Sequence, residues 1–515
     1  MTIGDSEASN TKENRDVEMG REEAAIEGID RSEKTRAGPV HINTDVYLVE
    51  WDGPDDPENP QNWSFARKAW LTALLSMICL VCTFASSIFS TAQHAAGLHF
   101  GQPDEVMNLA TTLFLFGYAV GPAIFAPLSE KLGRKVPLLG GYFLFAIFTV
   151  AGATSKDVQT LMLCRFFSGV TGSSPLVLVA AMFADFWSSE VRGIAVCLFS
   201  VMVFVGPSVA PVVGSFIVQS YLGWRWTLYI TSIMAFTMLI LGVVFITESY
   251  PSTILARRAG ERRVSTGNFA WHHKSEEKPF RVGEIVTVYL TRPLHMLVKE
   301  PIVLLLSVYV AFVYAILYLM LEAVPIAFVR GRGWSNAIAT LPFISIIIGC
   351  FAGAAVIIGF NPYYIRMMKA NQGRPVPKAR LPPMIIGGFV FPTGFFIFAW
   401  TADIKDGSVF WLAPCIGLAL IGGGILLIFL QALNYLIDVY LMYAASAIAA
   451  NTMLRSALAG IFPLVAGYMF VNMTVKWAAT LLGLLALVMA PIPLLFYHFD
   501  VQLRRTSKFS MNKAA

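Results

Sequence analysis

Residues Ile302 to Val324 read IVLLLSVYVAFVYAILYLMLEAV, and Glu322 is the one charge in these 23 positions, which hold no glycine and no proline. An α-helix rises 1.5 Å per residue, so about 20 such residues cross the ~30 Å hydrocarbon core of a bilayer. Backbone groups left unpaired have no partner in lipid, which makes the run a spanning helix. Trp70 to Phe89 and Trp477 to Tyr497 have the same character. The whole chain of 515 residues is 56% hydrophobic and 14% charged, whereas a soluble domain carries roughly a quarter charged residues. A soluble fold cannot hide that much apolar surface.

Apolar runs bounded by charge, Gly or Pro predict twelve helices, at about 69–89, 106–126, 137–153, 161–183, 193–218 and 226–246, then 302–324, 337–359, 384–401, 411–433, 444–468 and 477–497. The expected fold is an all-α membrane protein whose twelve transmembrane helices form two pseudo-symmetric six-helix bundles, over 69–246 and 302–497. A polar, disordered tail (1–46), a pre-helix segment (47–68), a central loop (247–301) and a short final tail (498–515) complete the chain. The first residues contain no apolar stretch of signal-peptide kind, so the amino terminus is expected in the cytosol. On that orientation the cytosolic connections and carboxyl tail hold 22 Lys and Arg against six in the outer loops, the asymmetry that positive charge on the inner side demands. The two halves also repeat a plan. Asp185 closes the fourth helix with Gly206-Pro207 following, and Asp438 closes the tenth with Phe462-Pro463 following. Parallel repeats of this kind are one transporter architecture, with the site between the halves near the midplane.

Other chemistries find no support in the residues. The six cysteines all fall in apolar runs, and Cys79 with Cys82 forms a CxxC pair that has no second pair, so no metal site, redox centre or other cofactor is expected. No GxxxxGK[ST] phosphate loop and no HExxH motif is present, which argues against an ATP-driven pump and a membrane metalloenzyme. The basic clusters Arg257, Arg258, Arg262, Arg263 and Arg366, Lys369, Arg374, Lys378, Arg380 read as cytosolic anchors; they lack the aromatic interleaving of a nucleic-acid surface.

Four short stretches carry the chemistry. The first, Ala126-Pro127-Leu128-Ser129-Glu130-Lys131-Leu132-Gly133-Arg134-Lys135, compresses an acid, three bases and a Gly turn between two helices, a charge-pair latch that one conformation holds and another releases. The second runs from Arg165 to Gly172 and places a guanidinium inside an apolar helix, which requires a partner or a watery cavity; an arginine reaching to the interface is the plainer alternative. In the third, Gly206-Pro207-Ser208-Val209-Ala210-Pro211-Val212-Val213-Gly214, two prolines four apart make a bend that small residues let a neighbour approach. The fourth is Glu322 with Asn451 and Arg455, the remaining ionisable groups of the apolar runs and a polar neighbour one turn from Arg455. Glu322 is a candidate site for a proton or a cation, or an outer interfacial residue before Pro325. Arg455 is a candidate for an anionic or carbonyl-rich ligand, for a pair with Asp438, or for a merely interfacial position.

The latch loop resembles the signature loop of the major facilitator superfamily, with Ala126 and Glu130 where Gly and Asp are common. The spacing of Arg165, Gly169 and Gly172 is similar to the superfamily motif linked to proton coupling, and the Gly206 to Gly214 stretch to the Gly-Pro motif of its antiporter branch, here with Met202, Ala210 and Ser215 in place of Gly. Val49-Glu50-Trp51-Asp52, Asn59 to Ser64, Gly223 to Trp226, Glu248-Ser249-Tyr250-Pro251, Tyr318 to Ala323 and Asn434 to Asp438 together look like fungal members of the twelve-span drug:proton antiporter family, which includes polyamine and multidrug exporters. The resemblance covers residue 47 to the end. It implies that Asp185 and Arg192 pair with the latch loop, that protons and a small molecule are the partners, and that the protein works as a monomer. The function expected is proton-coupled export of hydrophobic or cationic small molecules, such as drugs, fungal toxins or polyamines, across the plasma membrane, with the vacuolar membrane as the alternative address. Uptake of polyamine or another nutrient, or nutrient sensing without transport, are the rival readings. Asn472-Met473-Thr474 is a glycosylation sequon close to two helix ends.

Overall fold

The computed structural model describes residues 47–276, 291–402 and 409–507. The expected tail over 1–46, residues 277–290 of the central loop and 508–515 of the final tail lie outside the described residues. Among the described residues, twelve helices are long and apolar enough to cross a membrane: α1 (Phe65–Thr91), α2 (Asp104–Leu132), α3 (Lys135–Ala153), α4 (Val158–Phe186), α5 (Glu190–Gln219), α6 (Arg225–Phe245), α7 (Pro301–Arg332), α8 (Ile338–Ala370), α9 (Pro377–Ala402), α10 (Leu412–Tyr440), α11 (Ala444–Asn472) and α12 (Thr474–Arg505). Most outlast their apolar runs, because hydropathy marks only the stretch in hydrocarbon while the helix continues into the interface. Pro301 opens α7, where a missing N–H costs nothing. Gly333, at φ 70°, ends it by donating to Val329 past two basic residues in the last turn.

The packing plan is the same in both halves. In the first, α1 packs on α5, α2 on α4, and α3 on both α4 and α6; in the second, α7 packs on α11, α8 on α10, and α9 on both α10 and α12. The halves meet where α2 faces α11 and α5 faces α8, again symmetric positions. Thr112 Oγ1 donates to the Gly460 carbonyl (2.8 Å) across the first seam, and the hydroxyls of Ser215 and Thr340 meet at 2.8 Å across the second. α7 is central and α6 peripheral, since 83% of the apolar window of one is buried against 28% of the other. Val243, Val244 and Val488 on α6 and α12 face outward, as a lipid-facing surface requires.

Pro207 and Pro211 sit inside α5 at the positions expected for a bend. Gly206 and Gly214, two turns apart on one face, meet α1. A β-carbon at Gly206 would stand 2.8 Å from the Leu80 carbonyl oxygen and collide with Thr83, and one at Gly214 would stand 3.1 Å from that of Ile88. Close backbone approach is how helices associate where lipid supplies no hydrophobic drive. A second, small unit comprises residues 47–50 and 255–276 among those described. There Leu48 bridges to His272, and the Tyr47 ring meets Trp271 edge-on at 5.5 Å.

The six native cysteines are all buried, which makes the orientation testable. Tyr221 between α5 and α6 and Arg374 between α8 and α9 are both exposed. In intact cells a membrane-impermeant thiol reagent is expected to label Tyr221→Cys but not Arg374→Cys until the membrane is opened. Separately, Gly206→Val forces β-branched bulk against α1 and is expected to destabilise the purified protein by about 1–3 kcal/mol, read as a lowered Tm in detergent.

Candidate functional site

Four side chains form a closely packed, buried cluster, here the chamber, midway through the spans. Phe204 stands at the middle of 190–219, and Tyr314, Phe429 and Arg455 each within three residues of the middles of 301–332, 412–440 and 444–472. Phe204 meets Phe429 at 4.9 Å and Tyr314 at 6.1 Å, while Tyr314 and Phe429 stack at 6.0 Å. The Arg455 guanidinium lies over both Tyr314 (4.9 Å) and Phe429 (4.8 Å). It is 8% exposed, so it is neither interfacial nor snorkelling. It does not pair with Asp438, whose carboxylate is held by Arg380. Its Nε and Nη1 are buried with no hydrogen-bond partner, and so is Oδ1 of Asn451, one turn away; the Asn451 amide donates to Ser307 (3.3 Å). Two desolvated cation–π contacts at roughly 2 kcal/mol each offset an insertion cost of ~2.5–3.5 kcal/mol. Each orphaned polar atom still costs about 1–3 kcal/mol. The chamber therefore holds unspent donors.

Arg165 settles the same problem differently. It is 2% exposed, and Nη1, Nη2 and Nε donate to the carbonyls of Ala85 (2.9 Å), Ser86 (3.3 Å) and Ala110 (3.3 Å), strapping α4 to α1 and α2. Phe114 lies 4.4 Å and Phe89 5.4 Å from the guanidinium. Hydrogen bonds from a charged donor contribute about 1.5–3 kcal/mol each, so three of them exceed the insertion cost. The strap leads on to the chamber. The hydroxyls of Ser86 and Tyr318 meet at 2.9 Å, crossing from one half to the other, and those of Tyr318 and Tyr314 at 3.3 Å.

Glu322 is one turn beyond Tyr318 on the same face of α7 as Tyr314 and Tyr318. It is half-buried and makes no hydrogen bond or ion pair among the described residues. At the opposite end of the spans lie two ionic clusters. Arg134 pairs with Asp185 (Nε to Oδ2, 3.1 Å), donates to Ser129 (2.9 Å) and covers the Tyr250 ring at 4.5 Å; Ser249 adds a hydrogen bond to Asp185. Gly133, at φ 82°, turns the chain so that the backbone N–H groups of Arg134 and Lys135 reach the Glu248 carboxylate at 2.8 and 3.1 Å, and a β-carbon there would strike it. Glu248 thus caps α3, which has no side-chain cap of its own. Arg380 pairs with Asp438 (3.1 Å), Tyr364 donates to the same oxygen (2.9 Å), and the guanidinium sits 3.3 Å from the Tyr364 ring centre. Each cluster ties the start of the third helix of its half to the end of the fourth.

Some expected residues stand apart. Glu130 is exposed, and Arg192 is half-buried; neither side chain has an ion pair among the described residues. Asn472 is exposed at the end of α11, with α12 starting two residues later at Thr474 (φ 64°). No group of His, Cys, Asp and Glu that could hold a metal ion occurs among the described residues. Sequence reasoning missed Glu248 as a cap and Arg380 with Tyr364 as partners of Asp438. The signals present were an acid just before Pro251 and a base just before the apolar run of α9, the counterpart of Arg134 before α3.

The Major Facilitator Superfamily profile matches residues 74–463. The chain is 43% identical to the citrinin biosynthesis cluster MFS transporter of Monascus ruber, over 92% of this chain and 94% of that one. It is 42% identical to the major facilitator superfamily multidrug transporter FLU1 of Candida albicans, over 92% and 77%. Its fold is similar to that of the proton:xylose symporter XylE, with a TM-score of 0.60 at 17% identity, covering 85% of this chain and 96% of that one. The protein is a transporter, not an enzyme, and belongs to the major facilitator superfamily, with the fungal drug-efflux transporters.

Proposed function

We propose that this transporter exports hydrophobic small molecules of the drug or secondary-metabolite kind in exchange for protons, by alternating access between its two halves, as a monomer in the plasma membrane. The observation that carries the reading is the line Arg165, Ser86, Tyr318, Tyr314, Arg455, which crosses between the halves. When the halves rock, the Ser86–Tyr318 contact must break, so any group that biases it biases access. Glu322, one turn away and without a partner among the described residues, is the proton acceptor in this reading. Charged, it resists being closed off from water; protonated, it allows closure. A cargo seated on the Phe204, Tyr314 and Phe429 rings then leaves as the proton enters. Arg134 with Asp185 and Arg380 with Asp438 keep the ends of each half rigid during the swing.

Direction and substrate kind draw on the relatives, one named a multidrug transporter and one named for a citrinin biosynthesis cluster. A polyamine suits the chamber poorly, because Arg455 is its charge and Glu322 lies about 12 Å along the helix from Tyr314. Hydrophobic cargo is the better fit.

Cells expressing the protein are expected to accumulate less of the neutral dye Nile red, and a proton uncoupler to erase the difference. Glu322→Gln, at equal surface abundance, is expected to reduce uncoupler-sensitive efflux about tenfold or more, which corresponds to a barrier change of ~1.4 kcal/mol. Higher accumulation would make the protein an importer, and efflux indifferent to the uncoupler would remove the proton. Arg134→Ala or Arg380→Ala leaves a buried carboxylate without its cation and is expected to lower stability by roughly 3 kcal/mol. Asp185→Asn and Asp438→Asn, which still accept hydrogen bonds, are expected to cost less in the same Tm measurement.

A further inference from the structure

The geometry points to an acidic cargo: an aromatic organic acid whose carboxylate seats on Arg455 while its ring system lies among Phe204, Tyr314 and Phe429. Its direction of travel rests on the export reading above; the seat rests on the chamber alone. Arg455 is 8% exposed and has two guanidinium N–H groups, Nε and Nη1, with no acceptor; they lie on opposite edges of the guanidinium, so a carboxylate takes one of them together with the Nη2 that stands between. Among the described residues no carboxylate pairs with Arg455. On and beside the spans packed against α11, Asp438 is held by Arg380, Asp500 by Arg504, and Glu300 by Tyr440 and Ser507, while Asp104, Glu105 and Glu130 of α2 are exposed. Glu322 faces the far end of the chamber stripe and makes no ion pair among the described residues. Among the described residues the other fully buried guanidinium, Arg165, already donates to three carbonyls, which leaves Arg455 as the buried one without an acceptor. Asn451 Oδ1, also buried and unpaired one turn away, offers an acceptor to a hydroxyl on the same molecule. A cation meets the reverse arrangement: a like charge on the chamber wall, no carboxylate within ion-pair distance. Export of an anion against an entering proton moves two charges per cycle in the same electrical sense, so a potential negative inside accelerates it.

Fluorescein and rhodamine 6G share a fused three-ring core and carry opposite charge, and each reports its own binding by fluorescence polarisation with the purified full-length protein. Fluorescein is expected to bind at least tenfold more tightly, the least that a buried, desolvated charge contact provides. Arg455→Gln should erase that preference, Arg455→Lys should retain part of it, and Arg374→Gln, an exposed basic site, should leave it unchanged. Equal binding of the two dyes, a preference for the cation, no binding of either, or a fluorescein affinity unmoved by Arg455→Gln would overturn the inference. Proteoliposomes separate this from the export reading. Fluorescein binding that needs Arg455, with transport indifferent to a proton gradient, would sink exchange and leave the acidic cargo; gradient-driven Nile red movement without anion preference would do the opposite.

Discussion

A guanidinium in hydrocarbon must find hydrogen-bond acceptors or a ring face, and the interior of this protein is arranged around two of them. Arg165 is satisfied by three main-chain carbonyls from two neighbouring helices, so it is a structural strap with its charge spread over the backbone. Arg455 rests against two neighbouring rings but has bare N–H groups. The first arrangement is complete in itself. The second leaves two N–H groups without an acceptor, and that difference is the ground on which a ligand is proposed for Arg455 and not for Arg165.

Between the two lies a short chain of hydroxyls through Ser86, Tyr318 and Tyr314. Each hydroxyl can donate or accept, so the chain couples the strap in one half to the chamber in the other without a fixed polarity. The repeated packing plan explains why the chamber is where it is. The seams α2–α11 and α5–α8 bring the halves together symmetrically, and the middles of α5, α7, α10 and α11 converge between them. The ionic clusters at the other level act within each half. They fix helix ends to one another and leave the seams free to part.

Much of this was legible in the residues. Twelve spans and two halves follow from runs of apolar residues, which are a local property. Span ends were less so, because α7 continues past Val324 through Pro325 to Arg332 with little change of backbone. Partnerships were least legible. Arg455 and Asp438 looked like an available pair, yet Asp438 meets Arg380, 58 positions away, since both stand at the same end of adjacent helices. Glu248 caps α3 from 113 positions away, whereas Glu130, near in sequence, points outward. Phe204, Tyr314 and Phe429 carry no signal among 38 Phe and 17 Tyr residues until three helices bring their faces together. A single sequence records which groups must be paired and leaves open which others pair with them.

The central claim is that one buried arginine is structural and the other waits for a ligand, and thermal unfolding of the purified protein tests it most directly. The account predicts that Arg165→Gln lowers Tm strongly, because a hydrogen-bonded strap between three helices is lost. Arg455→Gln should leave Tm unchanged or raise it, because a buried charge lacking acceptors is removed. Equal losses, or a larger loss at Arg455, would contradict the account.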